Sequence, residues 1–412
     1  MDKTVNIIYL PLESINERYT EQWSRWIPDA FLKRGWSVTT ILGERLSEGI
    51  EVGTFLDLHS SMHWFYTQLA NTVKHLRNLP KSQEHMVDVI FIPDTEMWGV
   101  EGLRYLQRLD NRENLYIVGF CHAGSYTKGD FMEPMNDLGR LLEPAWFNTM
   151  DLVFVGSQYH KRQIVDNRLL NSSLHVAKKI HVTGNPYDSD EVRKLSSTQG
   201  INFLTPTKDR TYDLILCDRP DTEKGTVHAL AIAAILAEHE KATIAITTSR
   251  PTYKSNDPLI EELVHGLVNT YPSVTLHEGL SKHKYYTIMA DSKCYLSCTK
   301  EENFGYCCIE AMSLGTYPIV PKEYAFMQHL AINDPFESAI HENMVHAPNS
   351  PQFSLLMYNE GYTPGILNIF SMLTKGTSNT RLPTQSELIN RASIYNGSLQ
   401  RIGDHIQHLI MA

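Results

Sequence analysis

The feature that most constrains this chain is an alternation that runs through it twice. Short β-branched and apolar runs, VNIIYLPL, SVTTILG, VDVIFIP, LYIVGFC, DLVFVG and KIHVTG, are each followed by a polar or amphipathic stretch of helical length. A strand that is apolar on both faces needs cover on both, and a helix-length return keeps successive strands parallel. The alternation therefore predicts right-handed βαβ units around a parallel sheet. After the turn-rich stretch GNPYDSDEVRKLSSTQGINFLTPTKDR it restarts with YDLILCD, ATIAITTSR, VTLHEG, KCYLSC and TYPIVP. The expected architecture is α/β, two Rossmann-like domains facing each other across a cleft: an N-terminal one over residues 1–190 and a C-terminal one over 191–383. The last segment, 384–412, carries apolar residues at helical spacing from Ser386 to Met411 and is predicted as one helix packing back on the body. Ligands of such sheets bind at the carboxyl ends of the strands, so the loops that follow them are where chemistry is expected.

Composition sets the outer limits. With 412 residues, 42% hydrophobic and 20% charged, the chain has material for more than one full core. A formal charge of -10 excludes a surface given over wholly to nucleic acid or anionic lipid, yet leaves room for a local basic patch. Between His160 and Lys179 lie Lys161, Arg162, Arg168, Lys178 and Lys179 against the single acid Asp166. That stretch reads either as a solvated helix face or as a surface for a polyanion. The N-terminal apolar run is too short for a signal peptide, and no segment approaches the roughly 18 apolar residues of a membrane span. A soluble, cytoplasmic protein without a membrane partner is expected. The six cysteines show no C-x-x-C spacing, so no metal site is expected and reduced thiols are the default.

The stretch KEENFGYCCIEAMSLGTYPIVP, Lys300 to Pro321, places Glu302 in the loop at a strand end and Glu310 on the short helix behind it, which Gly315 stops. Gly305 leaves the first backbone N–H groups of that helix uncovered, a setting for an anion. A carboxylate can accept from two neighbouring hydroxyls at once, so a sugar or ribose would suit either acid.

The order E-N-F-G-x-x-x-x-E-A-M-x-x-G-x-x-P-I-V resembles the donor-site motif of the retaining GT-B glycosyltransferases of family 4. The resemblance implies that Glu310 holds the nucleotide ribose and that Glu302 faces the donor sugar. It also places Asn303, Phe304, Gly305 and Tyr306 beside the sugar and diphosphate. A second match, LILCDRPDTEKG, follows the first strand of the second series: the family carries an Arg and, five residues on, a Lys before a Gly, here Arg219, Lys224 and Gly225. Two fixed cations can stabilise the charge that develops on a departing nucleoside diphosphate, so no metal or other cofactor is required. His122, after YIVGFC, corresponds to a family histidine that contacts the donor sugar; a structural role fits a lone loop histidine as well. Leu280 and Tyr285 correspond to residues bordering the nucleotide.

On the acceptor side Asp94 and Glu96 stand at another strand end, where either a general base or a turn-forming Asp explains them. Ser125 and Asp130 lie in the next loop. The family's Gly-rich first loop is missing, and PLESINERYTEQWSRW offers Glu13, Arg18 and Tyr19 instead, with Gln22, Trp23 and Trp26 at core-like helical spacing. That departure, together with HAGSYTKGDF, resembles bacteriophage enzymes that glycosylate modified pyrimidines in DNA, and the second half is similar to tRNA-queuosine mannosyltransferases. The implied function is retaining transfer from a nucleoside diphosphate sugar, with UDP favoured, to a 5-hydroxymethylcytosine-type pyrimidine in phage DNA. The host cytoplasm would then be its setting. A tRNA, saccharide or lipid acceptor stays open, as does another class, a sugar-nucleotide epimerase or a non-catalytic binding protein of the same fold.

Overall fold

A computed structural model describes residues 3–15, 17–46, 57–80, 85–130, 132–169, 174–197, 203, 205–330, 351–359, 363–376 and 381–411. The chain forms two compact units. Unit 1 comprises Met1–Tyr187 and Gly397–Ala412, and unit 2 comprises Asp188–Asn396.

Unit 1 contains β1 (Thr4–Tyr9), α1 (Tyr19–Lys33), β2 (Ser37–Thr40), α2 (Leu58–Asn78), β3 (Met86–Ile92), α3 (Val100–Leu109) and β4 (Leu115–Cys121). It continues with α4 (Asn136–Thr149), β5 (Leu152–Val155), α5 (Gln158–Ile164), α6 (Leu174–Ala177) and β6 (Ile180–Val182). Its strands pair in parallel in the order β2-β1-β3-β4-β5-β6. The chain therefore changes direction across the sheet between β1 and β3, and the loops after those two strands diverge at a topological switch point. Ile7, Ile8, Val89, Ile90, Ile117, Val118, Val153 and Phe154 are all solvent-free, as strands covered on both faces must be. Trp23 and Trp26 of α1 join that core, Trp23 edge-on to Phe120 at 5.3 Å.

Unit 2 contains α7 (Ser189–Ser196), β7 (Tyr212–Leu216), α8 (Thr226–His239), β8 (Ile244–Thr247), α9 (Pro258–Thr270), β9 (Val274–His277), α10 (Lys282–Ala290) and β10 (Ser292–Leu296). It continues with α11 (Tyr306–Ser313), β11 (Tyr317–Pro321), α12 (Tyr324–Leu330), β12 (Met357–Tyr358), α13 (Thr363–Lys375) and α14 (Gln385–Ser393). Its parallel sheet runs β9-β8-β7-β10-β11-β12, the doubly wound order with its switch point between β7 and β10. β7 and β10 pair directly, Cys294 opposite Leu214 and Tyr295 opposite Ile215. The strand runs of both series are thus present, and the short β12 is an addition the sequence pattern does not suggest.

The expected C-terminal helix is two helices, which corrects that reading. α14 ends at Ser393, a 3-10 turn spans Ile394–Gly397, and α15 (Ser398–Met411) belongs to unit 1. Helical spacing continues across the break, but Asn396-Gly397 is a turn pair, and Asn396 Oδ1 accepts the Ser189 N–H at 2.8 Å. The N-terminal unit accordingly ends at Tyr187 and regains the chain at Gly397, so residues 384–412 are divided between the two units. In unit 1 the Arg34 guanidinium pairs with Asp404 of α15 at 2.7 Å, and Arg401 Nε donates to the Thr183 carbonyl at 2.8 Å.

Candidate active site

In unit 2 the candidate side chains gather at the switch point. β7 ends at Leu216, and the loop after it carries Asp218, Arg219 and Lys224 before α8. β10 ends at Leu296, and the loop after it carries Glu302 before α11. Because β7 and β10 are neighbours, the two loops meet: the Lys300 N–H donates to the Glu223 carbonyl at 3.0 Å, and Lys224 Nζ lies 2.8 Å from Glu302 Oε2. Gly225 permits this approach. Its φ is +64°, and a Cβ there would lie 1.8 Å from the Cys298 carbonyl oxygen.

Among the described residues, six helices open on a side-chain cap, with Asp57, Ser157, Asp188, Asp257, Ser281 and Thr384 as N-cap residues, and α3 opens on the left-handed Gly99 without one. α8 and α11 likewise open on left-handed glycines, Gly225 and Gly305. At α11 the neighbouring Glu302 takes over: its Oε1 accepts from the N–H of Gly305 at 3.0 Å and of Phe304 at 3.3 Å. Burial would raise the Glu302 carboxyl, but Lys224 and those two N–H groups outweigh it and hold it below its ordinary value. Burial would likewise pull the Lys224 ammonium down, and the carboxylates of Glu302 and Asp218 keep it above its ordinary value.

Glu310, 3% exposed, sits on α11 behind the loop and accepts from the Tyr286 hydroxyl at 2.8 Å, the Tyr285 hydroxyl at 2.9 Å and Lys282 Nζ at 3.3 Å. Arg219 pairs within its own loop, with Asp221 at 2.7 Å and with Glu223. Leu280, Asn303 and Phe304 are buried, and Tyr306 is half-buried at the start of α11.

Sequence reasoning missed Asp218. It accepts from the Tyr295 and Ser297 hydroxyls, each at 2.6 Å, and burial raises its carboxyl despite Lys224 nearby. A cavity of ≈ 20 Å³ opens beside Asp218 and Lys224, with Thr226, Thr247 and Tyr253 in its wall. Cys217 and Cys307 carry no sequence signal either, and with Asp218 they bring three ligand-type atoms within 4.8 Å of one another. Ninety residues separate the two cysteines, so no spacing motif could have signalled them.

In unit 1 the loops after β1, β3 and β4 carry His122 and the acceptor-side candidates. His122 Nδ1 lies 3.8 Å from Asp94 Oδ2, and its ring is edge-on to Tyr19 at 5.8 Å and to Trp23 at 5.9 Å. Asp94 also accepts the Glu96 N–H at 3.1 Å. Burial raises the carboxyl of Asp94 although His122 opposes it. Glu96 is raised well above its usual range, by burial first and then by the carboxylates of Asp94, Glu143 and Asp130. Glu13 is buried and accepts from the Ser60 hydroxyl at 2.8 Å, and Arg18 is the N-cap residue of α1.

Two expectations look different in three dimensions. Ser125 is 1% exposed, donating its N–H to Glu143 Oε1 at 2.7 Å and accepting from Arg168 Nη2 at 3.0 Å, so it belongs to a buried network. Asp130 Oδ1 accepts the Met132 N–H at 3.1 Å, a turn contact. Arg168, part of the basic stretch in the sequence, is itself buried: it pairs with Glu143 and donates to Asn136 Oδ1 at 2.7 Å. Lys179 is half-buried against the Met150 carbonyl at 3.1 Å. The stretch thus keeps Arg162 and Lys178 as its exposed cations, with Lys161 half-buried like Lys179. Among the described residues no helix is long and apolar enough to cross a membrane.

No protein-family model matches the chain, and neither does any curated protein. Solved structures do. The catalytic domain of starch synthase IV from Arabidopsis thaliana, bound to ADP and acarbose, superposes with a TM-score of 0.61 at 12% identity, covering 100% of this chain and 99% of that one. An α,α-trehalose-phosphate synthase (UDP-forming) from Burkholderia vietnamiensis gives 0.59 at 9% identity, covering 100% and 99%. HepE from Anabaena, in complex with UDP, gives 0.57 at 12% identity, covering 98% and 100%. At such identities the likeness establishes the fold: two parallel-sheet α/β domains, matching the structures of GT-B glycosyltransferases.

Proposed function

We propose that this chain is a glycosyltransferase that moves a sugar from a nucleoside diphosphate sugar, by preference a UDP-sugar, to a hydroxyl acceptor with retention at the anomeric carbon. The observation that carries the reading is the Lys224–Glu302 pair at 2.8 Å, at the switch point of unit 2 and beside the glycine-started helices α8 and α11. Fixed cations and a helix start without a side-chain cap, that of α8, at a strand-end crevice suit a diphosphate. The solved structures with ADP or UDP bound, and the UDP-forming synthase, support the same class of donor.

The roles follow from what each group already holds. Lys224 stabilises the negative charge that develops on the departing diphosphate, and Arg219 does so once it exchanges Asp221 and Glu223 for phosphate oxygens. Glu302 is committed to Lys224 and to two backbone N–H groups, which suits it to orienting sugar hydroxyls rather than to attacking the anomeric carbon. Glu310 uses three of about four acceptor positions on its neighbours, leaving one for a ribose hydroxyl. Transfer then takes place on one face of the sugar. The bond from the anomeric carbon to the phosphate oxygen breaks, the bond to the acceptor oxygen forms, and the acceptor's proton passes to the departing phosphate.

For the acceptor we propose a hydroxymethylated pyrimidine in DNA, engaged by Tyr19, Asp94 and Glu96 of unit 1, while the neighbouring His122 serves the donor sugar. The resemblance to phage DNA glycosyltransferases supports it, and an accessible base stacking on an aromatic side chain is the physical means. Incubation with labelled UDP- and GDP-sugars, each with DNA containing 5-hydroxymethylcytosine, tRNA or an oligosaccharide, tests the reading. Label in the modified DNA is the expected result. Label in tRNA or oligosaccharide replaces the acceptor, and turnover of donor without transfer overturns the glycosyltransferase reading in favour of an epimerase.

A further inference from the structure

His329, on α12, is fully buried among aromatic rings, 5.4 Å from the Phe304 ring and 5.1 Å from the Tyr395 ring. Its Nε2 meets the Phe304 carbonyl, which can only accept, so that nitrogen carries the proton. Nδ1 is then an acceptor, and the Tyr395 hydroxyl donates to it. Arg391 of α14 fixes the backbone of the same turn, donating from Nε to the His329 carbonyl at 2.6 Å and from Nη2 to the Gln328 carbonyl at 2.8 Å.

Tyr395 and Asn396 stand where the chain leaves unit 2, and Ser189 stands where it enters. Asn396 Oδ1 holds the Ser189 N–H, so adjacent residues tie the two crossovers to each other and, through His329, to the backbone of the Glu302–Gly305 loop. That loop presents the Phe304 and Gly305 N–H groups to Glu302, which in turn holds Lys224.

We propose that His329 and Tyr395 are positioning residues that couple the chain crossovers to the donor loop, setting the Phe304 backbone in the geometry that transfer requires. Neither side chain touches donor or acceptor; both act through the Phe304 carbonyl. The proposal rests on the donor-site reading above.

Three substitutions test it. In His329→Gln the amide N–H reaches the position of Nε2–H, in His329→Asn only the Nδ1 position is replaced, and Tyr395→Phe removes one hydroxyl. The readouts are kcat for transfer from the best UDP-sugar, the Kd for UDP, and amide hydrogen exchange across residues 302–306 and 394–397. His329→Asn is expected to lower kcat about tenfold or more while the Kd for UDP stays within about threefold. His329→Gln is expected to restore kcat to within about threefold of wild type. Tyr395→Phe is expected to speed exchange in both segments together. Wild-type kcat and exchange in the Asn and Phe variants overturn the coupling. So do equal losses in Asn and Gln accompanied by faster exchange throughout the chain, which mark a structural role alone. A wild-type protein that neither binds UDP nor transfers sugar refutes the donor reading instead, and the exchange measurements still decide the coupling.

Discussion

Lys224 and Glu302 lie 2.8 Å apart although 78 residues separate them, each on the loop that follows one of two neighbouring strands. The pairing is a product of sheet order: β7 and β10 adjoin only because the chain winds outward through β9 and then returns. The Glu302 carboxyl is held below its ordinary value, so the pair contributes stability fully above the unfolded pKa of about 4.3, and that contribution is lost as pH falls through the lower folded value. Unfolding by urea should show wild type about 2 kcal/mol more stable than Glu302→Gln at neutral pH, with the difference shrinking only below that range. A difference that is constant down to acid pH would contradict the pairing.

Gly225 tests the packing of the two loops. Its φ of +64°, and the 1.8 Å that would separate a Cβ at this position from the Cys298 carbonyl oxygen, forbid a side chain without backbone movement. Gly225→Ala is expected to cost about 1–3 kcal/mol in denaturant unfolding and to weaken UDP binding. Wild-type stability in that variant would show that the loops are not held together there.

Arg168 separates a buried role from a surface one. Removing it leaves Glu143 without its ion-pair partner in the interior, and Arg168→Ala is expected to destabilise unit 1 by about 3–5 kcal/mol. The milder Arg168→Gln should leave the salt dependence of DNA binding unchanged, whereas Lys161→Ala should reduce its slope by about 1. A slope reduced by about 1 in Arg168→Gln would place Arg168 at the surface after all.

His329 is expected to leave a signature in acid. Burial lowers its pKa to about 4, against the lesser opposing effect of the Phe304 carbonyl and with Arg391 adding to the lowering. The unfolded chain therefore takes up a proton near pH 6.5 that the folded chain refuses, and stability contributed by the neutral ring fades as pH falls from 6.5 towards 4. Relative to wild type, His329→Gln should gain stability over that window by up to roughly 3 kcal/mol, read from urea midpoints at a series of pH values. An unchanging difference would mean that the imidazole protonates in place.

Much of the fold could be read because its signals are local. Most strand runs of the two series are apolar or β-branched along their length, and Gly315 stops α11 where the sequence indicates. That Glu302, Gly305 and Glu310 share one loop and the helix after it is legible for the same reason, since they fall close together along the chain. What escaped notice depends on partners far away in sequence. Asp218 gains its meaning from Tyr295 and Ser297 at the end of β10, Glu310 from Lys282 and Tyr286 on α10, and His329 from Tyr395 at the crossover. Arg168 looked like a surface cation because composition records its charge and not Glu143 beneath it. The Asn396-Gly397 turn was visible as a breaker, but apolar residues at helical spacing on both sides concealed it.

On the proposed function, the switch point of unit 2 binds the nucleoside diphosphate of a sugar donor. Isothermal titration of UDP into wild type, Lys224→Ala and Glu310→Ala tests it most directly, with circular dichroism to establish that all three are folded. The expected result is saturable binding by wild type and a loss of about tenfold or more in each variant. Equal UDP affinity in all three folded proteins would contradict it.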